Sequence, residues 1–230
     1  MGKSIVKSTD ALITVTKNGP YVVKGDIPLA PQHIVTNAEG ESLEWREGPR
    51  IVHDAQFALC RCGASSNKPF CDGTHKTIGF DGTETASHEP FDAGAKVIEG
   101  ATMALKDNES LCAFARFCDP HGQVWNLVKE AEAPQKRKLF LHEAGHCPSG
   151  RLVAVDLATG QVVEPALDPS IGLVEDTARK VSGPLWIRGG IPIVAADGET
   201  YEVRNRVTLC RCGRSGNKPY CDGSHAAETP

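Results

Sequence analysis

The sequence predicts an α+β fold that is rich in β-strands, with two small metal-binding modules on either side of a different middle segment. Three observations predict it. A stretch of sixteen residues with three cysteines and one histidine occurs twice, β-branched runs broken by turn residues precede each copy, and the residues between the copies have their own cysteine spacing. The modules are expected over residues 1–87 and 181–230, with the middle segment over residues 88–180.

Short strands open the first module. Residues 11–29 place β-branched positions on both sides of Asn18-Gly19-Pro20, which predicts a strand, a turn and a second strand. The run from Ile34 to Trp45 predicts a hairpin that turns at Gly40. The first cysteine-rich loop follows, so these strands are expected to position it.

The two cysteine-rich loops share one spacing, from Cys-x-Cys to Cys-Asp-Gly-[Ser/Thr]-His. Three thiolates and one imidazole in so short a segment suit either zinc or an iron–sulfur cluster. Paired zinc ligands are usually separated by two to four residues, so the single residue inside Cys-x-Cys favours a cluster in which each of two irons takes one pair of ligands. The candidate ligands are Cys60, Cys62, Cys71 and His75 in the first copy, and Cys210, Cys212, Cys221 and His225 in the second.

The second half of each loop is expected to begin a short helix. Cys71 and His75 are four residues apart, so their side chains would converge near the first turn of a helix capped by Asp72. Unpaired N–H groups at the start of such a helix favour an anionic cluster. The same prediction holds for the second copy, with Asp222 as the cap.

The full pattern Cys-x-Cys-x-x-Ser-x-x-x-Pro-x-Cys-Asp-Gly-[Ser/Thr]-His, present in both copies, resembles the CDGSH iron–sulfur family. The resemblance implies a [2Fe–2S] cluster on three cysteines and one histidine in each loop, on a small β-rich fold in which two modules lie side by side. Many such relatives pair as homodimers. The two modules of this chain are therefore expected to form an intramolecular pseudo-dimer, which would make the chain a monomer.

Other loop residues leave alternatives open. Ser65 and Ser215 either donate hydrogen bonds to cluster sulfur, which we favour, or cap a turn. Pro69 and Pro219 are expected to fix the shape of the loop. The loop cations are either solvated charges or contacts for a redox partner; they are Arg61, Lys68, Arg211 and Lys218.

The strands repeat as well as the ligands. Gly183–Pro192 echoes Gly19–Pro28, and the run from Ile193, with its Asp-Gly turn, echoes the run from Ile34. The interval from the glycine to the first cysteine of the loop is 41 residues in the first copy and 27 in the second. The difference of 14 is expected to be loop growth in the first copy.

The middle segment carries the remaining cysteines, Cys112, Cys118 and Cys147. Bacterial ferredoxins use Cys-x-x-Cys-x-x-Cys and a remote Cys-Pro, and here Ala115 stands where the middle cysteine would be. The segment resembles divergent single-cluster ferredoxin domains and the three-cysteine [3Fe–4S] type, which implies a third cluster, [3Fe–4S] or [4Fe–4S]. The alternative is that these are buried free thiols.

Three histidines in the middle segment are candidates for a missing fourth ligand, although each is more simply a surface residue: His121, His142 and His146. After Cys147, the run from Leu152 to Val163 predicts a hairpin that turns at Thr159-Gly160.

Composition excludes several classes of protein. A net charge of −4 and a pI of about 6.1 argue against a nucleic-acid surface. Met1–Val6 lacks the apolar run of a signal peptide, and no stretch is long enough to span a bilayer. Nine cysteines without an export signal indicate metal ligands in a reducing compartment, so we expect a cytoplasmic protein.

No catalytic motif accompanies the ligands: we expect no dinucleotide-binding loop, no Gly-x-Ser-x-Gly elbow, no zincin helix and no enzyme activity of the chain itself. The predicted function is one-electron transfer, or storage and transfer of a cluster, with a redox partner or an apo-acceptor protein. The alternatives are a zinc-stapled interaction module and an electron-relay subunit of an oxidoreductase.

Overall fold

The computed structural model describes residues 11–228, in which the chain forms thirteen strands and three α-helices. The strands are β1 (Leu12–Val15), β2 (Tyr21–Lys24), β3 (Leu29–Thr36), β4 (Ser42–Glu47), β5 (Gln56–Leu59), β6 (Lys96–Glu99), β7 (Met103–Asp107), β8 (Leu152–Asp156), β9 (Val162–Val163), β10 (Ser170–Asp176), β11 (Val181–Arg188), β12 (Ile193–Val194) and β13 (Arg206–Leu209). The helices are α1 (Thr74–Thr77), α2 (Val124–Leu127) and α3 (Pro134–His146). The predicted α+β class, rich in strands, is confirmed.

The two modules exchange strands. The first sheet has the order β12-β1-β2-β5 and the second has the order β13-β11-β10-β3-β4. Strand β12 of the second module lies parallel to β1, and β3 of the first module lies parallel to β10. Each sheet therefore contains a strand from the other half of the chain, which is the predicted intramolecular pairing.

The registers define which strands correspond. Ile13 lies opposite Ile193 in the first sheet, as Ile171 lies opposite Leu29 in the second. Strand β10 is thus the counterpart of β1. Strand β10 lies inside the residues predicted as the middle segment, but its neighbours in the sheet are β11 and β3 of the two modules. The limits of the three predicted domains stay a prediction.

The same registers correct one detail of the repeat. The sequence repeat matches Ile193 with Ile34. In the structure Ile193 pairs with β1 as Leu29 pairs with β10, so Leu29 is the counterpart of Ile193. The 14 additional residues of the first copy lie between the starts of β3 and β5, where they build the long β3–β4 hairpin. The additional length of the first copy is therefore a pair of hydrogen-bonded strands and not an irregular loop. The predicted turn at Gly40 is confirmed, with a φ of +82°.

The first two sheets enclose one hydrophobic core. Ile13 and Val15 of β1 and Tyr21 of β2 are buried at alternate positions, as expected for strands with one face inwards. Leu185 and Ile187 of β11 join the same core from the second sheet. Because both modules line it, the core fixes the position of one cysteine-rich loop relative to the other.

The middle segment has its own sheet and core. Its strand order is β6-β7-β8-β9, and α2 and α3 pack against it through residues such as Leu105, Leu127 and Phe140. The hairpin predicted over residues 152–163 is confirmed as β8 and β9. A smaller apolar cluster with Ala115 and Trp186 joins this segment to the second sheet.

Among residues 11–228, no helix has the length and apolar character needed to cross a membrane. The expectation for Met1–Val6 falls outside the described residues.

Candidate metal centres

Each cysteine-rich loop is held at both ends by the strand that precedes it. In the first loop, the Cys60 N–H donates to the Pro69 carbonyl at 2.8 Å and the Cys71 N–H donates to the Ala58 carbonyl at 2.8 Å. An isolated bridge pairs Leu59 with Phe70. The second loop repeats these contacts at Cys210 and Cys221 with distances of 2.8 and 2.9 Å. The backbone thus brings the first and third cysteines of each loop close together.

The ligand atoms of each loop form two pairs. The sulfurs of Cys60 and Cys62 are 3.8 Å apart, and the Cys71 sulfur is 3.3 Å from Nδ1 of His75. The corresponding distances in the second loop are 3.8 Å for Cys210–Cys212 and 3.4 Å for Cys221–His225. The predicted convergence of the third cysteine and the histidine is confirmed in both copies.

This pairing bears on the choice between zinc and a cluster. A tetrahedral zinc ion brings all four of its ligand atoms within roughly 4 Å of one another. In the described part of the chain, the groups of three or more ligand atoms that lie within 4.8 Å of one another include neither cysteine–histidine set. Two separate pairs suit two metal ions better than one.

The aspartate that follows the third cysteine acts differently from the prediction. The N-cap of α1 is Gly73, with a φ of +90°, and Asp72 lies one residue earlier. Its carboxylate accepts the Thr74 N–H at 3.0 Å and the Ser66 N–H at 2.8 Å, and these hydrogen bonds hold the pKa of the exposed Asp72 well below its usual range. Asp72 therefore ties the loop to the first turn of the helix.

The favoured role of the loop serines is wrong. Ser65 Oγ donates to the Phe70 carbonyl at 2.6 Å and accepts the Asn67 N–H at 3.1 Å. Ser215 makes the same two contacts with Tyr220 and Asn217, at 2.7 and 3.0 Å. Because the hydroxyl proton is used on a carbonyl, these serines close a turn, which was the alternative.

Ser65→Ala tests that correction. We expect loss of the buried turn to cost about 1–2 kcal/mol, and so to speed cluster loss on heating, with no change in the reduction potential of the first cluster. Ser66→Ala is the control for loss of an exposed loop hydroxyl: it removes a 2.8 Å hydrogen bond to Asp72, which the second loop lacks because Gly216 stands at the corresponding position. The measurement is a redox titration followed by absorbance. A shifted reduction potential in Ser65→Ala but not in Ser66→Ala would mean that Ser65 donates a hydrogen bond to cluster sulfur.

The loop arginines are buried, so neither predicted role applies to them. Arg61 donates to the Gly82 carbonyl at 2.6 Å, and Arg211 donates to the Gly183 and Val174 carbonyls at 2.8 and 2.9 Å. They hold neighbouring chain segments against the loops. Lys68 is exposed, and the Lys218 ammonium donates to the Ser215 carbonyl at 2.7 Å.

The backbones of the two cysteine-rich loops are in direct contact. A Cβ atom on Gly63 would lie 2.6 Å from the Cys212 carbonyl oxygen, and one on Gly213 would lie 2.6 Å from the Cys62 carbonyl oxygen. Both glycines have a left-handed φ, of +78° and +80°. The contact is symmetric and admits no side chain at either position.

The two ligand sets differ in their surroundings. His75 is half-buried, whereas His225 and Cys221 are buried. A Cβ atom on Gly223 would be 3.3 Å from the Cys112 carbonyl oxygen. Burial raises the pKa of Cys221 to about 12, and burial followed by the charge of Arg211 lowers the pKa of His225 to about 4.

The middle cysteines also lie near one another. Burial is the main cause of the raised pKa of Cys118, and the charges of Asp119, Cys147 and Cys112 add to it in that order. Cys147 directly follows α3, and the Arg151 guanidinium pairs with Asp107 at 2.5 Å. Cys112 and Cys147 therefore lie near enough to Cys118 to affect its pKa, and the third cluster stays a prediction.

The rings of His142 and His146 have partners other than the middle cysteines. Nδ1 of His146 lies 2.8 Å from the His142 carbonyl oxygen and its Nε2 lies 3.1 Å from Glu44, while Nε2 of His142 lies 3.0 Å from the Leu43 carbonyl. His121, His142 and His146 are each half-buried, with part of the ring of His142 and His146 still exposed. Ala115, at the place of the missing cysteine, packs in the apolar cluster with Trp186.

Sequence reasoning missed two features. The residues His142-Glu143-Ala144-Gly145-His146 have the His-Glu-x-x-His spacing on a helix, so the expectation of no such motif was wrong. The signal was in the sequence. The ion pair of Arg151 with Asp107 had no local signal, because it joins residues that are far apart along the chain.

Ligand type, ligand pairing and the strand-rich scaffold define an iron–sulfur protein, and comparison with known families agrees. The family described as iron-binding zinc finger CDGSH type matches residues 18–76 and 182–226. Residues 98–157 match the family described as divergent 4Fe-4S mono-cluster. The chain therefore carries two CDGSH-type segments on either side of a divergent single-cluster ferredoxin segment. No curated protein matches the chain.

Proposed function

We propose that the chain binds three iron–sulfur clusters and passes single electrons between them and a redox partner. Each cysteine–histidine set would hold a [2Fe–2S] cluster, and Cys112, Cys118 and Cys147 would hold a cluster of three or four irons. The observation that carries the proposal is the division of each set into two ligand pairs, 3.8 Å and 3.3–3.4 Å apart. When bound, such clusters accept and release one electron at a time.

The contacts between the sites support transfer along the chain. The first and second loops touch at Gly63 and Gly213, and the second loop touches the middle segment where Gly223 meets Cys112. Asn217 extends this contact through a 2.9 Å hydrogen bond to the Ser110 carbonyl. The three ligand sets thus follow one another through direct backbone contacts, with the second set in the centre.

The exposure of the first set favours a second candidate function. Cys62, Cys71 and His75 are half-buried, and the neighbouring Ser66, Asn67 and Lys68 are exposed. A partner could dock there either to exchange electrons or to take a cluster. Delivery of a cluster to an apo-acceptor protein is therefore the alternative, and it applies to the first site.

The proposed setting is a reducing compartment such as the cytoplasm, where thiols stay available to bind metal. All nine cysteines are free of disulfide bonds in the structure. We propose a carrier and no substrate chemistry on the chain itself.

A redox titration of the cluster-loaded protein separates the two functions. Electron transfer predicts that reduction and reoxidation are reversible, with all iron retained when an apo-ferredoxin is present as acceptor. Cluster delivery predicts that iron moves to the apo-ferredoxin from the first site. A colourless protein loaded with zinc would contradict both.

We expect acid to remove the two [2Fe–2S] clusters in two steps. An imidazole ligand must be unprotonated, and the lowered pKa of His225 keeps its ring unprotonated to a pH well below the ordinary value of about 6.5. His75 is half-buried, whereas His225 is buried. Absorbance against pH should therefore show two steps of loss, with the second cluster retained to lower pH than the first.

Histidine-to-cysteine variants assign the two steps. His75→Cys should remove the first step and leave the second, and His225→Cys should do the reverse, because thiolate ligation does not depend on an imidazole proton. Equal acid loss in the wild type and both variants would show that the histidines do not limit acid stability.

A further inference from the structure

A group of metal-ligand side chains lies outside all three cysteine sets. It consists of Glu44 on β4 of the first module and of His142 and His146 on α3 of the middle segment. One ligand atom from each of the three lies within 4.8 Å of the other two. We propose that this group is a binding site for a divalent transition-metal ion of the zinc type.

The helix supplies two ligands on one face. His142 and His146 are four residues apart on α3, and their ring centroids are 3.9 Å apart. That spacing places both imidazoles over the same turn, as in helical zinc sites.

The hydrogen bonds of His146 leave one ring nitrogen suited to a metal. Nδ1 lies 2.8 Å from the His142 carbonyl oxygen, which can only accept, so Nδ1 carries the proton. Nε2 of the neutral ring then presents a lone pair to Oε2 of Glu44 at 3.1 Å. Metal-binding histidines commonly donate their other N–H to a backbone carbonyl in this way.

Nε2 of His146 and Oε2 of Glu44, 3.1 Å apart, both carry lone pairs, so either a proton or a metal ion between them stabilises the pair. Zinc binds imidazole nitrogen and carboxylate oxygen at about 2.0–2.2 Å, so an ion in contact with both spans that distance at an ordinary bond angle. Nε2 of His142 is 3.9 Å from Oε1 of Glu44, on the same side. To ligate, it gives up its 3.0 Å contact with the Leu43 carbonyl, since a coordinating nitrogen cannot also donate a proton.

The surroundings allow an ion to enter and to keep water. The side chains of both histidines are 25% exposed and that of Glu44 is 61% exposed. Two histidines and one glutamate leave at least one coordination position for water. The Glu143 carboxylate is buried, and one of its oxygens accepts the His121 N–H at 2.8 Å. The geometry therefore points to binding without the general base that His-Glu-x-x-His enzymes use.

The ion would join two parts of the molecule. Glu44 lies on the β3–β4 hairpin, which is the extra length of the first module, and α3 leads directly into Cys147 of the middle set. Trp45 already links the same elements, since its indole N–H donates to the His146 carbonyl at 3.1 Å. The site thus lies where the extended hairpin meets the middle segment.

The test is zinc binding by the full cluster-loaded chain over a range of buffered free Zn²⁺ concentrations. We expect about one zinc per chain with no loss of iron, and an X-ray absorption spectrum with nitrogen and oxygen ligands and no sulfur. Glu44→Gln, at an exposed position, and His146→Ala should each weaken zinc binding at least about tenfold.

Two variants serve as controls. Glu39→Gln makes the same charge change on the same hairpin at an exposed position, and His88→Ala removes the histidine of the exposed group formed with Asp197 and Glu199. Both should bind zinc like the wild type. The proposal is overturned if zinc replaces iron, if sulfur ligates it, if Glu44→Gln binds normally, if His88→Ala abolishes binding, or if the wild type binds no zinc.

Discussion

Replacing Gly63 with alanine is expected to lower the melting temperature of the cluster-loaded protein by roughly 5–15 °C. A left-handed φ costs a non-glycine residue about 1–2 kcal/mol, and overpacking adds about 1–3 kcal/mol. For a chain of this size, each kcal/mol corresponds to about 2–4 °C. The overpacking is specific, because the new Cβ would lie 2.6 Å from the Cys212 carbonyl oxygen. Gly213→Ala should behave alike, since the contact is symmetric.

Gly40→Ala separates the two contributions. Gly40 has nearly the same φ, +82°, but a Cβ there meets nothing within 4 Å. It should therefore show only the conformational cost. Circular dichroism on heating, together with loss of visible absorbance, measures all three variants. If Gly63→Ala and Gly40→Ala melted alike, the two loops would not be in contact in solution.

Replacing Cys118 with serine is expected to remove the middle cluster, about three or four irons per chain, and to leave both [2Fe–2S] spectra intact. Cys118 is one of the three candidate thiol ligands of the middle set, and two thiolates are too few to hold such a cluster. Cys118 is also partly buried, so the serine hydroxyl that replaces it would be a polar group largely away from water. That hydroxyl cannot act as a thiolate ligand, so the cluster is expected to be lost.

Cys71→Ser is the reciprocal variant. It should remove about two irons and one [2Fe–2S] signal, with the middle cluster retained. Iron analysis and EPR of the reduced and oxidised protein distinguish the two results. Unchanged iron in Cys118→Ser would mean that the middle cysteines are buried free thiols.

Local patterns in the sequence predicted much of the site. The spacing of Cys60, Cys62, Cys71 and His75 predicted the ligand pairs, because a short loop leaves few ways to bring such residues together. Turn residues at Gly19 and Gly40 and the run over residues 152–163 predicted the hairpins for the same reason, since their geometry depends on neighbours in the chain.

Contacts between distant residues were beyond such patterns. The parallel pairing of β3 with β10 joins residues more than a hundred positions apart, and no local preference encodes it. The burial of Arg61 depends on carbonyls from residues 16 and 82. Spacing alone could not show which group the Ser65 hydroxyl faces. The proposed site with Glu44 combines a local motif, His142 and His146 on α3, with a residue of β4 from the first module. The motif was visible in the sequence, but the approach of β4 was not.

Iron, zinc and acid-labile sulfide counted per chain in the purified protein test the central claim most directly. Two pairs of ligands in each cysteine–histidine set predict about four irons and four sulfides from these sites, and about seven or eight irons with the middle cluster. Two zinc ions at the cysteine–histidine sets, with no sulfide, would contradict the account.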